Sequence, residues 1–182
     1  MAASDRRVTL VRLPLSEHAD FVDRQIREFA DEKVRAGHWR REEALNLSRD
    51  AVTGVLPKGG PGAGHRVFKG LDGSGQRVGW VWLGPPPKEM GLRNVEWLYQ
   101  ITVEDILRGQ GYGRALLRAT EDLLSSEGVE ALYLNVFDWN RVARSLYEST
   151  GYVVHYDGGT ELGMHKRLRP RSPPPGTRAQ PG

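Results

Sequence analysis

The stretch ITVEDILRGQGYGRALL (Ile101–Leu117) constrains this chain more than any other. An apolar strand pattern runs into a short link, then three glycines at alternate positions, then a helix over about Tyr112–Ser126. Leu116 and Leu123 lie seven apart, as do Leu117 and Leu124, so both pairs share one helix face. The first N–H groups of a helix have no intrahelical partner and carry partial positive charge. Glycine lets a ligand approach the backbone closely. Such a turn can hold an anion, and Arg108 and Arg114 add formal charge beside it. A P-loop would need Gly-Lys-Ser/Thr where the chain reads Gly113-Arg114-Ala115. A dinucleotide fingerprint would need one more residue between the second and third glycines. Two readings of the residues themselves stay open: a phosphate cradle, or a turn with no ligand.

The elements around this turn are those of a mixed α/β chain. VTLVRL (Val8–Leu13) alternates like a strand. Ser16–Arg35 is helical, with Ser16 in position to cap it and Gly37 to end it. Arg40–Leu56 reads as a second helix. His65–Leu71 and Gln76–Gly84 form a strand hairpin, and Val95–Val103 is an apolar strand. After the glycine turn and its helix, which Gly128 can end, Ala131–Phe137 is a strand. A helix from Asn140 to Thr150 and a closing hairpin (Tyr152–Tyr156, Thr160–Leu168) complete the series. The expected organisation is an N-terminal extension over 1–7, one domain over 8–168, and a proline- and arginine-rich disordered tail over 169–182.

Composition narrows the chemistry. The 182 residues include no cysteine, which excludes disulfides, thiolate metal sites and a protein thiol as nucleophile. The five histidines are scattered without metal-ligand spacing. Of 26 basic residues, five lie between His165 and Gly182, where no acidic residue occurs; the body carries 21 against 23 acidic ones. That balance argues against a nucleic-acid partner. No run reaches the length of a membrane span, and the first residues lack the apolar core of a signal peptide. The expectation is a cytoplasmic protein.

VEDILRGQGYGRALL resembles the acyl-CoA motif of the GNAT superfamily of N-acetyltransferases, [QR]-x-x-G-x-[GA], with Arg108, Gly111 and Gly113 at its fixed positions. LYLNVFDWNRVARSLYESTGYVV is similar to the second GNAT segment: strand, Asn, short helix, LYE, strand. The resemblance implies a GNAT fold, a mixed central sheet of about six or seven strands with helices on both faces, and acetyl-CoA as cosubstrate. It implies that the strand before the motif splays from its neighbour, so that the pantetheine arm pairs with the backbone of Ile101, Thr102 and Val103. The pyrophosphate would lie on the N–H groups of Arg108, Gly109, Gln110, Gly111, Tyr112, Gly113 and Arg114. Asn140 matches a position that touches the coenzyme; it also suits the cap of the short helix. Tyr147 matches a tyrosine near the thioester sulfur, where a phenol can protonate the leaving thiolate.

The resemblance also implies an acidic residue on the strand before the motif, to take the proton of the amine. Alternation places Glu96, Leu98, Gln100 and Thr102 on one face, and Glu96 is the expected base; Glu104 falls in the solvated link. Relatives often read Tyr-Asp-Ile where this chain has Tyr99-Gln100-Ile101, and Gln100 cannot act as a base. Without cysteine the simple mechanism is direct attack of a small-molecule or peptide amine on the thioester in a ternary complex, with positioning as the main contribution. The acceptor side would be lined by Ala36–Ala44, Trp80, Trp82 and Tyr156–Glu161. Trp80 and Trp82, two apart, are expected to point together into the core, and Glu42 and Glu43 to be a solvated helix face. A module that binds the coenzyme without catalysis and a transferase of longer acyl groups are the alternatives. The family also makes a homodimer possible.

Overall fold

The computed structural model describes residues 6–57 and 59–169. The expected extension falls outside it up to residue 5, and the tail from residue 170 onward. Seven strands form one sheet: β1 (Thr9–Arg12), β2 (Arg66–Leu71), β3 (Arg77–Gly84), β4 (Val95–Val103), β5 (Ala131–Phe137), β6 (Val153–Asp157) and β7 (Glu161–Arg167). Their order is β1-β2-β3-β4-β5-β7-β6. β4 and β5 run parallel, and every other neighbouring pair is antiparallel. Among the described residues four α-helices flank the sheet: α1 (Leu15–Arg35), α2 (Arg41–Val55), α3 (Tyr112–Ser126) and α4 (Arg141–Ser149).

Two apolar clusters explain the layering. α1 buries Phe21, Val22, Ile26 and Ala30, at the three- and four-residue spacing of one helix face. Phe21, Val22 and Ile26, with α2's Val52, pack on Val67, Trp80 and Trp82 of β2 and β3. On the opposite face Leu116, Leu117 and Leu124 of α3 and Tyr147 of α4 pack against Leu83, Leu98, Leu132, Leu134 and Met164. Trp80 and Trp82 therefore share the core face, as their spacing predicts. α1 starts one residue ahead of Ser16, with Pro14 at the N-cap and no side-chain cap. Proline suits that place because its fixed φ leads into the helix and the N–H it lacks would have had no intrahelical partner.

α3 presses on the sheet at Gly79. A Cβ there would overlap the carbonyl oxygen of Thr102 and the Leu116 side chain. Because backbone cannot yield as a side-chain tip does, Gly79→Ala is expected to destabilise the fold by about 3 kcal/mol. A urea melt measures this, and an unchanged midpoint would refute the close packing.

Candidate active site

β4 and β5 are paired only from Val95↔Ala131 to Leu98↔Leu134. Beyond Leu98 the two strands part. β4 stays on β3 through Ile101, Thr102 and Val103, and β5 stays on β7 through Asn135, Val136 and Phe137. The edge of β4 that faces β5 therefore has no strand partner over its last residues. Backbone N–H and C=O groups on such an edge are ready to pair with an extended ligand. Ile101 and Val103 also pack their side chains on the α3-side cluster, which fixes the strand while its backbone stays open.

The pairing of β3 with β4 shifts register here: Trp82 faces Gln100, but Leu83 faces Leu98. Tyr99 is the extra residue of a bulge. Its ring stacks on Trp82 with centroids 4.7 Å apart, and its hydroxyl donates to the Pro85 carbonyl at 3.0 Å. A bulge inserts one residue and inverts the alternation after it. The expected shared face of Glu96, Leu98, Gln100 and Thr102 is thereby corrected. Leu98 lies with the α3-side cluster. Gln100 lies on the α1 side, its Nε2 3.5 Å from Glu28 Oε2.

Glu96 sits in the paired part of β4, opposite Leu132. Arg66 donates to its Oε1 at 3.2 and 2.9 Å, and to both Glu127 oxygens at 2.7 Å. Burial pushes the Glu96 carboxyl up while Arg66 opposes it. The structure thus places Glu96 in an ion-pair network near the end of α3, two residues short of the parted strands.

The glycine turn follows β4 after a single 3-10 turn over Asp105–Leu107. Gly111 is the N-cap of α3 at φ +88°, and no side chain caps the helix. The first intrahelical bond runs from Ala115 N to Gly111 O, so the N–H groups of Tyr112, Gly113 and Arg114 are left without a partner in the helix. A Cβ at Gly109 or Gly111 would meet nothing within 4 Å, whereas one at Gly113 would stand 3.3 Å from Leu146 Cδ2. The first two glycines leave open space at the turn, and the third lets α3 pack against α4. Arg108 projects outward in an ion pair with Asp105 at 2.8 Å. Arg114 reaches Ser149 Oγ at 2.9 Å. Gln110 Nε2 donates to the Ile106 carbonyl at 3.0 Å.

Arg6 is a residue that sequence reasoning passed over. It donates to the Gln110 carbonyl at 2.7 Å and to the Tyr112 hydroxyl at 2.9 Å. Its guanidinium also lies over the Tyr112 ring, 4.5 Å from the centroid. The segment ahead of β1 thus ties down the turn; nothing in its local pattern marks that contact.

α4 completes the site. Asn140 Oδ1 accepts from Ala143 N at 3.2 Å, so the capping role is observed. Tyr147 is buried on α4, its ring 5.5 Å from that of Tyr152. Burial, with a smaller contribution from the Glu32 carboxylate, holds its proton more tightly than an ordinary phenol. At the far end of the opening α1 and its following corner meet the closing hairpin. Lys33 Nζ lies 5.2 Å from the Phe137 centroid, and His38 Nε2 is 2.8 Å from Thr160 Oγ1. Trp39 packs edge-on against Phe29, while Glu42 and Glu43 face solvent.

A ligand suited to this arrangement carries phosphate at one end and an extended, amide-bearing arm at the other. That is the form of an acyl-coenzyme A, and the class of protein is an acyl-CoA-dependent transferase. Residues 28–152 match the family model described as Acetyltransferase (GNAT) family, and the chain belongs to that family, whose cosubstrate is acetyl-CoA. An N-acetyltransferase of Bacillus subtilis strain 168 named YycN, itself uncharacterized, is 30% identical over 161 residues, covering 88% of this chain and 99% of the relative. The crystal structure of YycN superposes with a TM-score of 0.75, covering 82% of this chain and 94% of that one. A spermidine N-acetyltransferase from Vibrio cholerae, in complex with CoA and spermine, shares the fold at 17% identity and a TM-score of 0.60, covering 89% and 96%. The seven-stranded mixed sheet is the GNAT fold. Among the described residues no helix is long and apolar enough to cross a membrane.

Proposed function

We propose that this chain moves an acetyl group from acetyl-CoA to a primary amine of a small molecule or peptide, by direct attack while both are bound. The observation that carries the reading is the parting of β4 from β5 beside the uncapped start of α3, with the Tyr147 phenol buried on α4. The backbone of Ile101, Thr102 and Val103 pairs with the pantetheine amides. The Arg108 N–H is turned to the Asp105 carbonyl at 3.3 Å, and the N–H groups from Gly109 through Gln110, Gly111, Tyr112 and Gly113 to Arg114 hold the pyrophosphate, where charge-assisted bonds are strong. Asn140 caps α4 with one end of its amide and offers the other to the coenzyme. A backbone N–H of β4 polarises the thioester oxygen. Tyr147, kept protonated by its burial, donates to the departing sulfur. The compartment we assign is the cytoplasm.

Release of free thiol from acetyl-CoA tests this, with polyamines, aminoglycosides, amino acids and short peptides offered as acceptors. Polyamines come first because one fold neighbour is named for spermidine. Release that depends on one of these amines is the expected result. Acetyl-CoA binding without release to any of them would favour a silent coenzyme-binding module instead.

A further inference from the structure

An amine is mostly protonated at neutral pH, and only its neutral form attacks a carbonyl. On β4 the proton finds no acceptor at the opening: Gln100 is neutral, and Glu96 is held by Arg66 in the paired part of the strand. α1 carries the alternative. Gln25, Glu28 and Glu32 are spaced three and four apart, which lines them up on one helix face. Gln25 Nε2 donates to Glu28 Oε2 at 3.2 Å, and Gln100 of β4 approaches the same oxygen. Glu28 is further paired with Arg24 at 2.7 Å. Glu32 follows one turn later, next to Lys33, whose Nζ lies 5.2 Å from the Phe137 centroid at the tip of β5. α1 and α4 cover opposite faces of the sheet. Glu28 meets Gln100 of β4, and Lys33 lies over Phe137 at the tip of β5, so the turn of α1 that carries Glu32 spans the gap where the two strands have separated.

We propose that Glu32 is the general base, taking the proton of the acceptor ammonium directly or through one water. This assignment rests on the acetyltransferase reading above. The N–H bond breaks, its electron pair remains on nitrogen and attacks the thioester carbon, and the proton passes to a Glu32 oxygen. As the C–S bond breaks, its pair leaves on sulfur, which takes the Tyr147 proton. The second proton shed by nitrogen restores the phenol, and Glu32 returns its own to solvent. The surroundings suit the task. Burial and the neighbouring Glu28 carboxylate raise the Glu32 carboxyl to about 7, with Lys33 opposing them. A base is most effective when its pKa lies near the working pH. The charged and titratable groups facing it are Glu28, with its partner Arg24, and Lys33 on α1, and Tyr147 on α4.

Three preparations test the role: the wild type, Glu32→Gln and Glu32→Asp. Each is assayed against the best acceptor among polyamines, amino acids and short peptides. The wild-type kcat/KM should rise with pH along a limb centred near 7. Glu32→Gln should lose that limb and on the order of a hundredfold in turnover, while binding acetyl-CoA as the wild type does. Glu32→Asp should restore the limb. A readout independent of turnover follows from linkage. A carboxyl raised in the folded state stabilises the fold below its unfolded pKa, and that contribution is lost as pH rises through the folded value. Glu32→Gln should therefore melt above the wild type at pH 8, with the gap narrowing toward pH 5. Turnover within threefold of the wild type with the limb intact would overturn the assignment alone, as would a matching loss of acetyl-CoA affinity. A wild type that binds acetyl-CoA but acetylates none of the amines would overturn both this and the proposed function.

Discussion

Replacing Tyr147 by Phe is expected to lower kcat by about a hundredfold, near the lower end of the range for a general acid. The lower end applies because a thiolate is a tolerable leaving group: a free thiol has a pKa of about 8.5, so protonation helps its departure without being obligatory. The substitution removes one oxygen and keeps the ring, so the contacts with Tyr152 and the α3-side core persist. Acetyl-CoA affinity and the melting temperature should change little. The raised phenol pKa has a second consequence. Tyr147 keeps its proton through the alkaline range of an ordinary assay, so the wild-type rate should show no falling limb from it up to about pH 10. Steady-state thiol release across pH measures both effects. A Tyr147→Phe variant that turns over at the wild-type rate would remove the phenol from the reaction and leave it a core aromatic.

The parts of the site built from backbone chemistry were legible in the chain. Glycines at Gly109 and Gly111 with φ of +73° and +88° follow from local sterics, and the helix that starts behind them follows from the spacing of its leucines. The boundaries of β4 and β5 could be read for the same reason. What the chain did not show was the bulge at Tyr99. In VEWLYQITV the apolar run Trp97-Leu98-Tyr99 interrupts the alternation without marking an inserted residue, which arises only from pairing with β3 and from the stacking of Tyr99 on Trp82. Reading through it put Gln100 on the face of Glu96. Glu32 was hidden for a related reason. Within α1 it is one acidic residue near the end of an amphipathic helix, and solvated charges there are ordinary. Its meaning depends on how α1 docks over the opening, which is a tertiary fact. The one signal available was the polar stripe Gln25-Glu28-Glu32, running beside the buried Phe21, Val22 and Ile26 on a helix that must cover a sheet.

Gly111→Val should separate the two readings of the glycine turn that the residues alone left open. A valine at φ +88° is strained, at a cost of about 1–2 kcal/mol. Its side chain meets no atom of the protein within 4 Å of the added Cβ, so the fold should survive with a modest drop in melting temperature. The coenzyme phosphates, by contrast, would lose their close approach to the first-turn N–H groups. Hydrogen bonds to charged groups contribute about 1.5–3 kcal/mol each. Losing two of them corresponds to about a hundredfold or more in the dissociation constant for acetyl-CoA. Titration calorimetry with acetyl-CoA, beside a melt of the same sample, compares the two losses. Gly113→Val is the contrasting case. There the added side chain would crowd Leu146 and Val103, so stability should fall along with binding. If Gly111→Val binds acetyl-CoA as the wild type does, the open space at this turn holds no phosphate, and the glycines serve the chain reversal between β4 and α3 alone.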